Sequence, residues 1–100
     1  MINYNWDVTS VEVDKADGVV YVNWICFGIT EFHREAETGV AAFSPKPNKE
    51  GYVPLGDLTS EIVMLWVDYY LGDEGKSSIQ TKVSEIIKDV ESKPLRTIKL

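Results

Sequence analysis

From Val19 to Ile29 the chain is β-branched or aromatic at nearly every position and on both parities: Val19, Tyr21, Ile25, Phe27 and Ile29 on one, Val20, Val22, Trp24 and Cys26 on the other. A strand shows its side chains alternately to two faces, so such a run belongs at the centre of a sheet. One face is expected to meet helices, the other a partner or a curled edge of the same sheet.

The flanking sequence supplies neighbours for this strand. From Tyr4 to Val8, apolar residues alternate with Asn5 and Asp7, and the apolar phase then moves to Val11 and Val13 across Thr9 and Ser10. A change of phase requires one extra residue if the same face is to stay on the core, which predicts a bulge there. Asp14 to Gly18 provides the turn, ending in an Asp-Gly pair that tolerates positive φ. Gly39 to Phe43 reads as a short third strand returning beside the central one. Ser44 to Gly56, with Pro45, Pro47, Pro54, Gly51 and Gly56, reads as a structured loop.

Helical signals follow the loop. Thr59 offers an N-cap hydroxyl, Glu61 suits the positive end of the dipole, and Ile62, Val63, Leu65, Trp66, Tyr69 and Tyr70 recur at helical spacing. Gly72 suits a C′ position. A second helix is predicted over Ser77 to Ser92, with Ile79, Val83, Ile86, Ile87 and Val90 as its stripe, and Pro94 beyond it. The short Gly72 to Lys76 link makes the two helices antiparallel neighbours. The expected fold is therefore α+β: a three-stranded antiparallel meander followed by an antiparallel two-helix hairpin packed on one sheet face, a single domain over residues 1–100.

Composition bounds the function. With 44% hydrophobic and 26% charged residues the chain has a globular balance, expected to fold without a cofactor. Its longest uncharged run, Gly18 to Thr30, is too short to span a membrane, and Met1 to Asp7 lacks the basic and apolar regions of a secretory signal. A cytoplasmic setting is the expectation. Cys26 stands alone, which excludes an internal disulfide and reads as a small buried hydrophobe. The net charge of −6 is uneven: −5 over residues 1–44, −4 over 45–75 and +3 over 76–100. That overall sign argues against extended nucleic-acid binding, and the field is too small for a charge mimic of DNA.

Motifs for chemistry are sparse. Glu31, His33, Glu35 and Glu37 would share a face of extended chain and combine imidazole with carboxylates, but they crowd a turn and lack a second ligand segment; a solvated tip is expected, with no metal. Gly75-Lys76-Ser77 is similar to the end of a phosphate loop, yet Tyr70 stands where its first glycine belongs, so an inter-helix turn capped by Ser77 is expected. With one histidine and no nucleophile motif, no catalytic residue is assigned and no enzyme is expected.

Eleven aromatics remain, more than a two-helix layer need cover. Tyr4, Trp6, Tyr21, Trp24, Tyr52 and Tyr69 are the candidate protein interface, for a protein partner or self-association, since an exposed apolar face marks a contact site. The alternative is that the Ser44 to Gly56 loop covers that face through Tyr52, Val53 and Leu55.

One resemblance spans most of the chain. Pro54-Leu55-Gly56-Asp57-Leu58-Thr59-Ser60-Glu61-Ile62-Val63, Trp66-Val67 and Leu71-Gly72, preceded by Trp6-Asp7-Val8 and Val22-Asn23-Trp24, resemble short proteins of tailed bacteriophages, particularly marine and cyanobacterial ones. Ile62 departs from that pattern where Gln or Glu would complete a capping box, as does the basic Arg96 to Leu100 end. The resemblance implies a phage origin more than a role; together with the open sheet face and the aromatic residues, the expectation is a non-enzymatic phage protein acting by protein contact, a virion or assembly component, located in the virion or the host cytoplasm. The alternative expectation is a small phage regulator that binds and inhibits a host enzyme.

Overall fold

The computed structural model describes residues 1–44, 55–93 and 98–99. Three strands, β1 (Asn3–Val13), β2 (Val19–Ile29) and β3 (Arg34–Ala42), form an antiparallel meander in the order β1-β2-β3. The both-parity apolar run is the central strand, as its composition demands.

Local chemistry sets the register. Val8 pairs with Trp24 and Ser10 with Asn23, so Thr9 is the extra residue of a bulge. Asn23 pins it from across the ladder: the Thr9 hydroxyl donates to its carbonyl at 3.1 Å, and its Nδ2 donates to Ser10 Oγ at 2.9 Å. Beyond the bulge Val11 faces Val22, which keeps the apolar side of β1 on the core. In the first turn Asp14 Oδ1 accepts from the amides of Ala16 and Gly18, both at 2.9 Å, and Asp17 takes φ 60°.

The third strand begins five residues earlier than Gly39, where the apolar signal starts. Glu35 and Glu37 alternate with Arg34, Ala36 and Thr38, a pattern with no hydrophobic face, but the β2 backbone templates them all from Ile29 to Tyr21. Ladder hydrogen bonds decide this segment where side chains give no signal.

The larger correction concerns the helices. A 3-10 turn at Leu55–Asp57 leads into one long helix, α1 (Ser60–Ser92), in place of the antiparallel hairpin. Thr59 caps it, its hydroxyl accepting from the Ile62 amide at 3.2 Å. Gly72 does adopt a left-handed φ of 68°, with ψ 177°, but the helix kinks there and resumes. The segment Gly72 to Lys76 is therefore not a connection, and Ser77 is not a cap.

The length of the sheet explains the difference. An eleven-residue strand such as β2 extends about 36 Å, and half of α1 would cover only about two thirds of that. As one rod, α1 runs parallel to β2 along the whole sheet: Val63 borders Val8 and Val11, Lys76 lies over Trp6, Val83 and Ile87 approach Gly28, and Glu91 reaches His33. The core is Val22, Trp24, Cys26 and Ala41 from the sheet against Val63, Val67, Ile79, Val83 and Ile87 from the helix. A Cβ at Gly28 would overlap Val83, and one at Gly39 the Trp24 indole. Both glycines are set by that close packing.

Candidate functional site

Helix coverage divides the sheet into two unlike faces. Ile2, Tyr4, Trp6 and Val8 pack with the core on the α1 side, together with Val22, Trp24 and Cys26. On the other side β2 presents Ile25, Phe27 and Ile29, half-buried in a row, and among the described residues no element lies over them. Asp7, Asn5 and Asn3 stand opposite that row on β1, and Thr38, Ala36 and Arg34 on β3. The Arg34 guanidinium sits 4.2 Å from the centre of the Phe27 ring, a cation–π contact that shields part of it. Tyr21 (44% exposed) and Val40 (52%) extend the apolar surface toward the other end of the face.

The aromatic candidates do not assemble into one surface. Trp24 is 5% exposed and meets Trp6 in a tilted contact with ring centres 5.4 Å apart, and Tyr4 packs beside the same core under α1. Tyr21 lies on the uncovered face, while Tyr69 projects from the outer side of α1 at 91% exposure. Tyr52 is outside the described residues, as are Val53 and most of the loop read as a possible cover. The residues missed from sequence are Ile25, Phe27, Ile29, Arg34 and Val40. The small pair Cys26 and Gly28 on the opposite parity was the available signal, because small residues mark the side on which a helix can come close.

Tyr69 has company on α1. Leu65, one turn earlier, is 66% exposed, and Tyr70 is 49% exposed while resting 5.7 Å from Phe43. Trp66 flanks the same ring at 6.1 Å. Aliphatic and aromatic groups so exposed on a helix held by its other side make a ridge, not a core.

Among the described residues, the acidic and basic groups singled out from sequence stand in separate places. Glu31 is exposed in the turn after β2, Glu35 and Glu37 point to the α1 side, and His33 Nδ1 comes within 3.4 Å of the Glu91 carboxylate without hydrogen-bond alignment. Among the described residues, no three His, Cys, Asp or Glu are grouped to hold a metal ion. Lys76, from the phosphate-loop-like triplet, binds Asp68 at 2.8 Å and covers Trp6. Burial raises the Cys26 thiol pKa, with Lys76 opposing, so the thiol stays protonated and inert at neutral pH. A groove of about 310 Å3 opens between Val8, Val11, Leu55, Leu58, Thr59 and Val63, mostly apolar and without converging charges. No described helix is long and apolar enough to cross a membrane.

No curated protein and no solved structure matches the chain. A family model, DUF7936, described as a domain of unknown function, matches residues 1–99, and the chain belongs to that family.

Proposed function

We propose that this chain is a non-enzymatic protein of a tailed bacteriophage that works by protein contact, as a virion or assembly component. The observation that carries the contact reading is the asymmetry of the sheet: one face is closed by α1, while the other offers Ile25, Phe27 and Ile29 framed by Asn5, Asp7 and Arg34. An apolar row with a polar frame is the anatomy of a contact patch. The exposed ridge of Leu65 and Tyr69 supplies a second apolar surface on the opposite layer, as a component held between neighbours requires. The phage setting rests on the sequence resemblance around Asp57-Leu58-Thr59.

Mass spectrometry of purified virions tests the role. Stoichiometric protein in virions is the expected result. Its absence there, with capture of a host enzyme by the same chain, would replace this role with that of a host-directed inhibitor. A Phe27→Lys substitution, which leaves the α1 side untouched, is expected to abolish incorporation while the far-UV spectrum stays unchanged.

A further inference from the structure

The two edges of the sheet differ. β1 is interrupted by register shifts at Val8/Ser10 and Glu12/Val13, and such bulges spoil an edge for further pairing. β3 runs without a shift from Arg34 to Ala42, contains neither proline nor lysine, and has no neighbour on its outer side among the described residues.

The hydrogen-bond phase of β3 is fixed at both ends. Thr30 N–H donates to the His33 carbonyl at 2.9 Å, and Phe43 N–H donates to the Val20 carbonyl at 2.8 Å. Pairs of that kind alternate along an antiparallel ladder, so the odd-numbered residues of β3 bond to β2. The N–H and C=O groups of Arg34, Ala36, Thr38, Val40 and Ala42 therefore point outward from the edge.

We propose that β3 pairs with β3 of a second copy, antiparallel about Thr38, to make a continuous six-stranded sheet. Only this register uses the whole strand: Thr38 meets the partner's Thr38, Ala36 meets Val40 and Arg34 meets Ala42, each pair joining outward-facing groups. It also places Glu35 against Ala41 and Glu37 against Gly39. A shift of one pairing step in one direction sets Glu37 opposite itself, and a shift of two steps sets Glu35 opposite Glu37, so charge opposes those registers. This pairing rests on the reading of the chain as a contact protein and names a second copy as one of its contacts.

Cross-linking reads the register in the full chain. Opposed residues of a bonded pair have Cα atoms about 5.5 Å apart, within disulfide range. Thr38→Cys is expected to give a disulfide-linked dimer on mild oxidation, whereas Val40→Cys, about 14 Å from its own copy at four residues' offset, and the wild type with its buried Cys26 give none. Light scattering should show wild-type dimers and Thr38→Pro monomers, because proline removes an outward N–H and leaves the β2 ladder intact. Wild-type monomers at all concentrations, or equal cross-linking of both cysteine variants, overturn the pairing. Should Thr38→Pro fail to fold, the cysteine pair decides alone. A monomer found in virions would overturn only the edge pairing, and a dimer absent from virions only the assembly role.

Discussion

Lys76 reaches back across the helix kink to Asp68: its Nζ donates to the carboxylate at 2.8 Å while lying 5.2 Å from the centre of the Trp6 ring. The two residues are eight apart, farther than side chains meet on a straight helix. The pair thus ties the two halves of α1 together over the bend at Gly72 and lays the joint on Trp6, beside Trp24. Lys76→Met keeps the packing stem and removes the charge. Both partners are about a third exposed, so solvent screens the ion pair, and together with the cation–π contact the loss should be about 1 kcal/mol. Urea unfolding measures it, and an equal loss in a Lys76→Met, Asp68→Asn double variant is expected if the two act as a unit.

Gly72 should resist replacement more than its surroundings suggest. No atom lies within 4 Å of a Cβ built there, yet φ 68° with ψ 177° is a region open essentially to glycine alone. Gly72→Ala is predicted to cost about 1–3 kcal/mol. Gly56→Ala, equally uncrowded but without a positive φ, should be near neutral. Equal midpoints for the two variants in thermal unfolding would count against the kink as observed.

Gly28 and Gly39 fail for the opposite reason, crowding. A methyl at Gly28 meets Val83 and Ile87, and one at Gly39 meets the indole of Trp24. Each alanine variant should lose about 1–3 kcal/mol by overpacking. Val83→Ala should rescue part of the Gly28→Ala loss and none of the Gly39→Ala loss, a cycle readable by denaturant titration.

Cys26 gives the stability curve an alkaline limb. Burial raises its folded pKa above the ordinary 9.0, with Lys76 acting against it. The unfolded chain then loses the proton first as pH rises, so the stability from keeping the thiol neutral is complete below pH 9.0 and declines from there through the folded pKa. Cys26→Ala should flatten that decline when unfolding is measured between neutral and alkaline pH. Thiol reagents should label the wild type only on unfolding.

The aromatic residues should separate into core and surface by the cost of removing them. Trp24→Ala opens the centre of the core and should cost about 3–5 kcal/mol. Tyr69→Ala should change stability by less than about 0.5 kcal/mol while weakening any contact made by the outer ridge, which binding to purified assembly partners measures.

Much of the local structure is legible in the order of residues. The phase change across Thr9 and Ser10 announces its bulge, Asp14 to Gly18 its turn, and Thr59 its cap, since each depends on groups a few residues apart. The apolar stripe of Ile79, Val83 and Ile87 identifies the buried side of α1. The first half of β3 is not legible, because Glu35 and Glu37 carry no hydrophobic alternation and only the β2 backbone recruits them.

The interface candidates fail to converge for a related reason. Trp6 and Trp24 look like exposed-surface aromatics only until a helix is laid on their side of the sheet. Because β2 is apolar on both parities, periodicity cannot say which face α1 takes; Gly28 and Gly39, where the helix and an indole need room, decide it.

By itself, then, the amino-acid order determines the meander, its bulge and turn, the start of α1 and the central place of Val19–Ile29, all of them matters of short-range chemistry and period. Tertiary structure alone decides that Gly72 bends a helix instead of ending it. The physical reason is the sheet: its strands are too long for either half of α1 to cover, so closing the α1 side of β2 along its whole length requires both halves in succession, and the gain in buried apolar surface outweighs a local stop signal.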